Sequence, residues 1–281
     1  WCETRGAGVL AHVTCLPSET GIGNLGAASW RFVDFLKSSG MSYWQICPLG
    51  PTGYGDSPSQ SFSAFAGNPY LIDWDPLLDA GLITPEELKP LTRLPATHVD
   101  YGELYQIFWS TMDKVATRFL ENSTSAEKLD GNFEQFHKSH KTWLEPYSWF
   151  QVLKKAHSGN SWRDWSAKYR NFARACESGL PDGYDKNSLL KEVFYQYLFW
   201  NQWSALKAYA NDSGIEIIGD IPIFVARDSC DLWSNPNLFK INEKTGRLKG
   251  VAGVPPDFFS SDGQLWGNPL YDWESMKTNS Y

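Results

Sequence analysis

The sequence predicts an α/β protein built as a (β/α) barrel with a helical insert, and three observations carry that prediction. A strand, a helix and a second strand follow one another between Gly8 and Leu49. A long helix later leads into another apolar strand, Ile215–Val225. The loops leaving the strands lengthen on one edge, where barrels of this kind place their function.

Gly8–Cys15 is a short apolar strand, and a turn from Pro17 to Gly26 follows it. Trp30, Phe32, Val33, Phe35 and Leu36 recur at helical spacing over Ala27–Ser39, with Gly40 as the stop. Tyr43–Leu49 is the second strand, and the short β-α-β spacing implies parallel pairing through a right-handed crossover. Pro76, Pro85, Pro90, Pro95 and Pro146 then break the text into short helical pieces. The expected organisation is therefore residues 1–75 as the first barrel strands and a polar, glycine-rich loop, 76–185 as a helical insert, and 186–281 as barrel helix, third strand and long loop. Asp185–Ser188 opens a helix running to about Asn211, with Leu190, Val193, Phe194, Tyr197 and Leu198 on one stripe and Gly214 ending it. Ile215–Val225 reads as a strand buried on both faces, with Asp220 within it.

Gly250–Trp273 has no regular periodicity, and its prolines and glycines forbid a long regular element. It nevertheless carries Phe258, Phe259, Trp266, Tyr271 and Trp273 beside Asp257, Gln264 and Asn268. Flat rings stack on the apolar face of a sugar while amides and carboxylates read its hydroxyls. Fourteen tryptophans in 281 residues hint in the same direction. The net charge of −7, without a Lys/Arg run, points away from nucleic acid. No apolar run approaches a membrane span. The five cysteines are scattered and form no CxxC, so neither a disulfide framework nor a zinc site is expected, which favours a reducing, cytosolic setting.

Gly21-Ile-Gly23-Asn-Leu-Gly26 matches the dinucleotide pattern, yet no acid ends the second strand to hold a ribose. A tight turn is the preferred reading over a nucleotide-dependent oxidoreductase. Asp56, Asp220, Asp228, Asp231 and Asp257 are candidate carboxylates, among which spacing alone selects no acid–nucleophile pair. Asp228 and Asp231 are expected to serve as helix caps or Asx turns, and His12 as a satisfied core or rim histidine.

Four blocks, GVLAHVTCLPSETGIGNLG, PLGPTGYGDSPSQSFSAFAGNPYLID, IIGDIPIFVARDSCDLW and GVPPDFFSSDGQLWGNPLYDW, closely resemble signature blocks of the amylomaltases. These are the 4-α-glucanotransferases, or disproportionating enzymes, of glycoside hydrolase family 77. The resemblance implies a (β/α)8 barrel of the α-amylase clan, of which only the N-terminal part is present. It implies transfer of an α-1,4-glucan segment between maltodextrins, retaining, through a covalent intermediate and without cofactor or metal. Tyr54, Asp56, Ser57 and Gln60 resemble the family's sugar-contacting loop. Asp257, Gln264, Trp266 and Asn268 resemble an arch over the cleft, and Asp220 a supporting carboxylate. The resemblance implies one mouth shared by the Tyr54 turn, Asp220 and the Trp266 arch. It also implies a cytoplasmic protein, or a plastid one in a plant.

Ser59 stands where the family has an aromatic Tyr, and Cys15 and Asn24 replace a Ser and an Asp. The Arg-x-Asp-His block of the family's nucleophile does not occur in the sequence, so nucleophile and general acid are expected beyond Tyr281. The 281 residues alone are accordingly expected to be inactive, and a maltodextrin-binding fragment or pseudoenzyme is the alternative.

Overall fold

The structure is a computed structural model describing residues 5–53, 55–122, 129–242 and 245–278. The chain divides into two compact units. The first comprises Trp1–Leu49, Gly67–Lys141 and Leu190–Ile221, and the second Gly50–Ala66, Thr142–Leu189 and Pro222–Tyr281. Residues 76–141 thus fall in the first unit and 142–185 in the second.

The first unit is built on a parallel sheet in the order β1 (Gly8–Leu10), β2 (Tyr43–Gln45), β3 (Glu216–Ile218). Gly8 pairs with Tyr43 and Trp44 with Ile217, so the parallel β-α-β pairing read from the sequence is present. All three strands are shorter than expected. After Leu10 the chain tightens into a 3-10 turn at Val13–Cys15, which ends the first ladder. Beyond β3, Gly219 and Pro222 lie within the segment read as strand, and proline cannot donate to a ladder. The third strand is also not buried on both faces. Val9, Trp44 and Ile217 pack against the core, whereas Leu10 and Ile218 on the other face are exposed.

Helix Ala27–Ser38 buries Ser29, Val33 and Leu36, and Gly40, at φ +73°, supplies the left-handed stop. The long helix Lys186–Asp212 buries every residue from Glu192 to Phe199, an all-round burial broader than the single stripe expected. Two of its glutamines replace strand partners. The Gln196 amide donates to Gly67 O (2.9 Å) and accepts from Gly67 N (2.8 Å). Gln202 makes the same pair of bonds with Asp73 (3.1 and 2.7 Å). The fully buried Gln196 amide is tolerated because both its ends are satisfied.

The second unit has its own core, in which Trp165 and Trp233 are fully buried and lie 5.6 Å from the Phe150 ring. β4 (Ile241–Asn242) and β5 (Arg247–Leu248) form a small antiparallel pair. β6 (Val251–Val254) and β7 (Gln264–Pro269) form an antiparallel hairpin with an irregularity between Val251 and Gly253. The irregular loop expected over Gly250–Trp273 is therefore a hairpin followed by helix Trp273–Thr278. The breakers explain how both hold. Pro255 and Pro256 lie in the connection, and Pro269 ends β7. A Cβ on Gly253 would meet Gln264 O at 2.5 Å, so the close strand approach needs glycine there.

Candidate functional site

Residues 50–66 and the β6–β7 hairpin both belong to the second unit. The loop is closed by an antiparallel bridge between Thr52 and Ser61. At its tip Gly55 (φ +87°) and Asp56 (φ +51°) are both left-handed, a conformation Asp tolerates better than most side chains. Asp56 N donates to Gly53 O (3.0 Å) and Gln60 N to Ser57 O (3.1 Å). Burial pushes the Asp56 carboxyl above its usual range. Ser57 is half-buried and Gln60 exposed, while Tyr54 lies outside the described residues.

Segment 222–231 lies against this loop. Ala226 N donates to Ser61 O (3.1 Å), Cys230 N to Phe62 O (2.8 Å), and Ala64 N to Asp231 Oδ2 (3.1 Å). The Lys154 ammonium sits 5.3 Å from the centre of the Phe62 ring. The same segment holds the hairpin, because Asn268 Nδ2 donates to Val225 O (3.0 Å). A single stretch of backbone thus fixes both elements that the sequence offers for sugar contact.

On the hairpin the structure divides the predicted residues by role. The Asp257 carboxylate accepts from Phe259 N and Ser260 N (both 2.9 Å), so it caps the turn that carries Phe258 and Phe259. Those two rings are 97% and 89% exposed, the most solvent-facing aromatics of the hairpin. Gln264 Oε1 accepts from Trp266 Nε1 (3.0 Å), which orients an indole that is 43% exposed. Phe224 lies 6.5 Å from Trp266 and stacks at 5.9 Å on Tyr271, which is 5.3 Å from Trp273. Asp220 belongs to the first unit, exposed just past β3.

Three expectations are corrected. Asp228 is no cap: it pairs with Lys154 (2.5 Å) and accepts from Trp162 N (3.0 Å). Asp231 is no cap either, because Ser229 Oγ accepts from Leu232 N (3.2 Å) and takes that role for helix Cys230–Ser234. His12 is not satisfied, since its buried Nδ1 has no partner among the described residues, and burial lowers its pKa. Sequence reasoning missed Asp231 as a partner of the loop, since contact 167 positions apart leaves no local signal. The tryptophan excess is mostly core. Among the described residues only Trp266 and Trp273 are exposed.

Gly21 (φ +79°) and Gly23, whose Cβ would meet Val13 O at 2.0 Å, make a tight turn ahead of the first helix. Among the described residues no group of three His, Cys, Asp or Glu could hold a metal ion. Cys15, Cys47, Cys176 and Cys230 are free. No helix among the described residues is long and apolar enough to cross a membrane.

The parallel β1–β2–β3 sheet with its helical additions is the N-terminal portion of an α-amylase-clan barrel. The chain belongs to glycoside hydrolase family 77, the 4-alpha-glucanotransferases, whose sequence profile matches residues 11–281. It is 46% identical over 281 residues to the 4-alpha-glucanotransferase of Thermus thermophilus, covering 99% of this chain and 54% of that protein. It is 37% identical to the chloroplastic/amyloplastic enzyme of Solanum tuberosum, covering 99% of this chain and 48% of the relative. The chain therefore spans about half the length of the curated relatives it matches. The structure of the Streptococcus agalactiae amylomaltase in complex with acarbose superposes with a TM-score of 0.87 at 37% identity, covering 98% of this chain and 55% of that one. The Corynebacterium glutamicum amylomaltase, at 16% identity and a TM-score of 0.74, shares the fold.

Proposed function

We propose that this chain takes part in transferring α-1,4-glucan segments between maltodextrins, by a retaining double displacement, and that it contributes substrate-binding segments. Trp266 is the platform on which a glucose ring stacks, held in orientation by Gln264. Asp56, Ser57 and Gln60, with Tyr54, read hydroxyls from the loop, and the remaining Oδ1 of Asn268 does so from the hairpin. Asp257 acts by shaping the tip that presents Phe258 and Phe259, which exclude water from the sugar and favour a sugar acceptor over hydrolysis. Asp220 is a supporting carboxylate at the end of β3.

The observation that carries the reading is the exposure of the only two solvent-facing tryptophans among the described residues, Trp266 on the hairpin and Trp273 at the start of the helix that follows it, in a family 77 chain. The absence of an Arg-x-Asp-His block from the sequence supports binding without turnover by these 281 residues alone. A maltodextrin is the partner, no nucleic acid or cofactor is called for, and the setting is cytoplasmic or, in a plant, plastid.

The test has two arms. Maltotriose incubated with a chain extended through the family's full length should yield glucose and longer dextrins, and no redistribution would overturn the transferase reading. The 281-residue chain should quench its tryptophan fluorescence on adding maltoheptaose while redistributing nothing. Turnover by it would overturn the binding-only assignment.

A further inference from the structure

Among the described residues three hydrogen bonds join segment 222–231 to loop 50–66, and they differ in kind. Ala226 N to Ser61 O and Cys230 N to Phe62 O are main-chain bonds that any residue but proline could make. The third, from Ala64 N to Asp231 Oδ2 at 3.1 Å, depends on a side chain. It falls three residues after Ser61 of the Thr52–Ser61 bridge, where the chain leaves the loop towards the buried Ala66. Ser61 Oγ donates to Ser63 O (2.5 Å) and accepts from Ser63 N (3.3 Å), while Ala66 N donates to Ser63 Oγ (3.2 Å). Residues 61–66 are thus a short run of local turns whose contact with the body of the unit includes the carboxyl of Asp231.

We infer that Asp231 is a positioning residue for the sugar-contacting loop: by holding the Ala64 amide it fixes the stem from which Asp56, Ser57 and Gln60 are presented. The inference rests on reading that loop as a glucan contact. Asp231 touches no sugar and acts through Ala64.

Burial pushes the Asp231 carboxyl up to about 6. The titratable groups facing it are the Tyr271 phenol and the Cys230 thiol. Burial and the carboxylate's charge raise both above their ordinary values, so neither titrates in this range. The Ala64 amide, donating to this carboxyl, pulls its pKa down against the effect of burial, so the bond that seats the loop is stronger when Asp231 is ionised. An amide of the same shape is permanently neutral and retains the accepting oxygen.

The experiment compares the wild-type chain, D231N and D231A by amide hydrogen exchange at Ala64 and by maltoheptaose titration. In D231A the protection of the Ala64 amide should fall about fivefold to tenfold and maltoheptaose affinity about fivefold, the size of one net hydrogen bond. D231N should restore both. In the wild type, Ala64 protection corrected for intrinsic exchange should rise between about pH 5 and about pH 7 as Asp231 ionises, and in D231N it should stay level. Unchanged Ala64 protection in D231A, or D231N behaving as D231A does, would overturn the inference. Should D231A fail to fold, the contrast in pH dependence between wild type and D231N still decides. A wild type that ignores maltoheptaose would defeat the sugar reading alone, leaving the exchange arm to judge Asp231.

Discussion

Replacing Trp266 with Ala tests the proposed platform, and the size of the effect follows from where the ring sits. The indole is 43% exposed and its one polar atom is spent on Gln264, so its removal leaves no buried donor unpaired. Stability should change by no more than about 0.5 kcal/mol, as at other surface positions. A glucose ring covering roughly 40 Å² of apolar indole at about 25 cal/mol/Å² gains about 1 kcal/mol. The ring's stacking preference adds about 0.5–1.5 kcal/mol. Together these give about 2 kcal/mol, or roughly a thirtyfold rise in the Kd for maltoheptaose. Calorimetric titration of wild type and W266A reads that ratio directly. W233A is the control for a packing role: Trp233 is fully buried, donates to Tyr169 O (2.8 Å) and packs on Phe150, Trp165 and Phe172. It should lose about 3–5 kcal/mol of stability. Equal maltoheptaose affinity in wild type and a folded W266A would refute the platform. A large loss of stability in W266A would refute the argument that its ring stands outside the core.

Asp228→Ala removes the partner of Lys154 and the acceptor of Trp162 N, in a pair whose side chains are only 26% and 11% exposed. Denaturant unfolding should report a loss of about 2–4 kcal/mol, below the full penalty for a wholly buried pair. Gly67→Ala should destabilise by about 1–3 kcal/mol in the same assay, because its Cβ would stand 1.9 Å from the buried Phe199 ring beside the Gln196 clamp. Asp73, raised to about 6 chiefly by burial and then by Asp75, favours folding in its neutral form. Its contribution is complete below the unfolded value of 3.8 and is lost as pH rises through about 6. D73N should therefore be the more stable protein at about pH 8, by about 1–2 kcal/mol after allowing for partial solvent screening, and thermal midpoints across pH will read it.

The regular skeleton was legible because periodicity and stop signals are local. Helix Ala27–Ser38 and the long helix Lys186–Asp212 both lie within a residue or so of their expected ends, since an apolar stripe closed by Gly40 or Gly214 leaves little freedom. Strand lengths were not legible. An apolar run such as Ile215–Val225 says that its side chains avoid water, whereas a ladder needs a neighbour at each position, and β3 finds one over Glu216–Ile218. The hairpin over Val251–Pro269 was hidden for the opposite reason. Its prolines and glycines read as breakers, yet in the fold they occupy the connection, the strand end and the close approach at Gly253, where a hairpin accepts them.

Chemistry was harder to read than architecture, because a side chain's type does not say which partner takes it. Asp228 and Asp231 stand three residues apart in one turn-rich stretch and look interchangeable as caps, yet one meets an ammonium from helix Lys141–Ala156 and the other an amide of loop 50–66. Asp257 looks like a sugar-reading carboxylate, and one of its oxygens, Oδ1, is engaged by its own turn. The tryptophans make the same point in bulk. Their number tells of aromatic surface, but Trp44, Trp165 and Trp233 are spent on the cores and Trp266 and Trp273 are not. What separates a binding surface from a core is the residue left uncovered after packing is complete. On the second unit Phe258, Phe259, Leu265 and Trp266 of that remainder lie on one hairpin, which Val225 ties to the same backbone stretch that seats the loop of Asp56. A disturbance of that stretch should therefore move both proposed sugar contacts together, whereas a change at Trp266 or at Gln60 should move only its own.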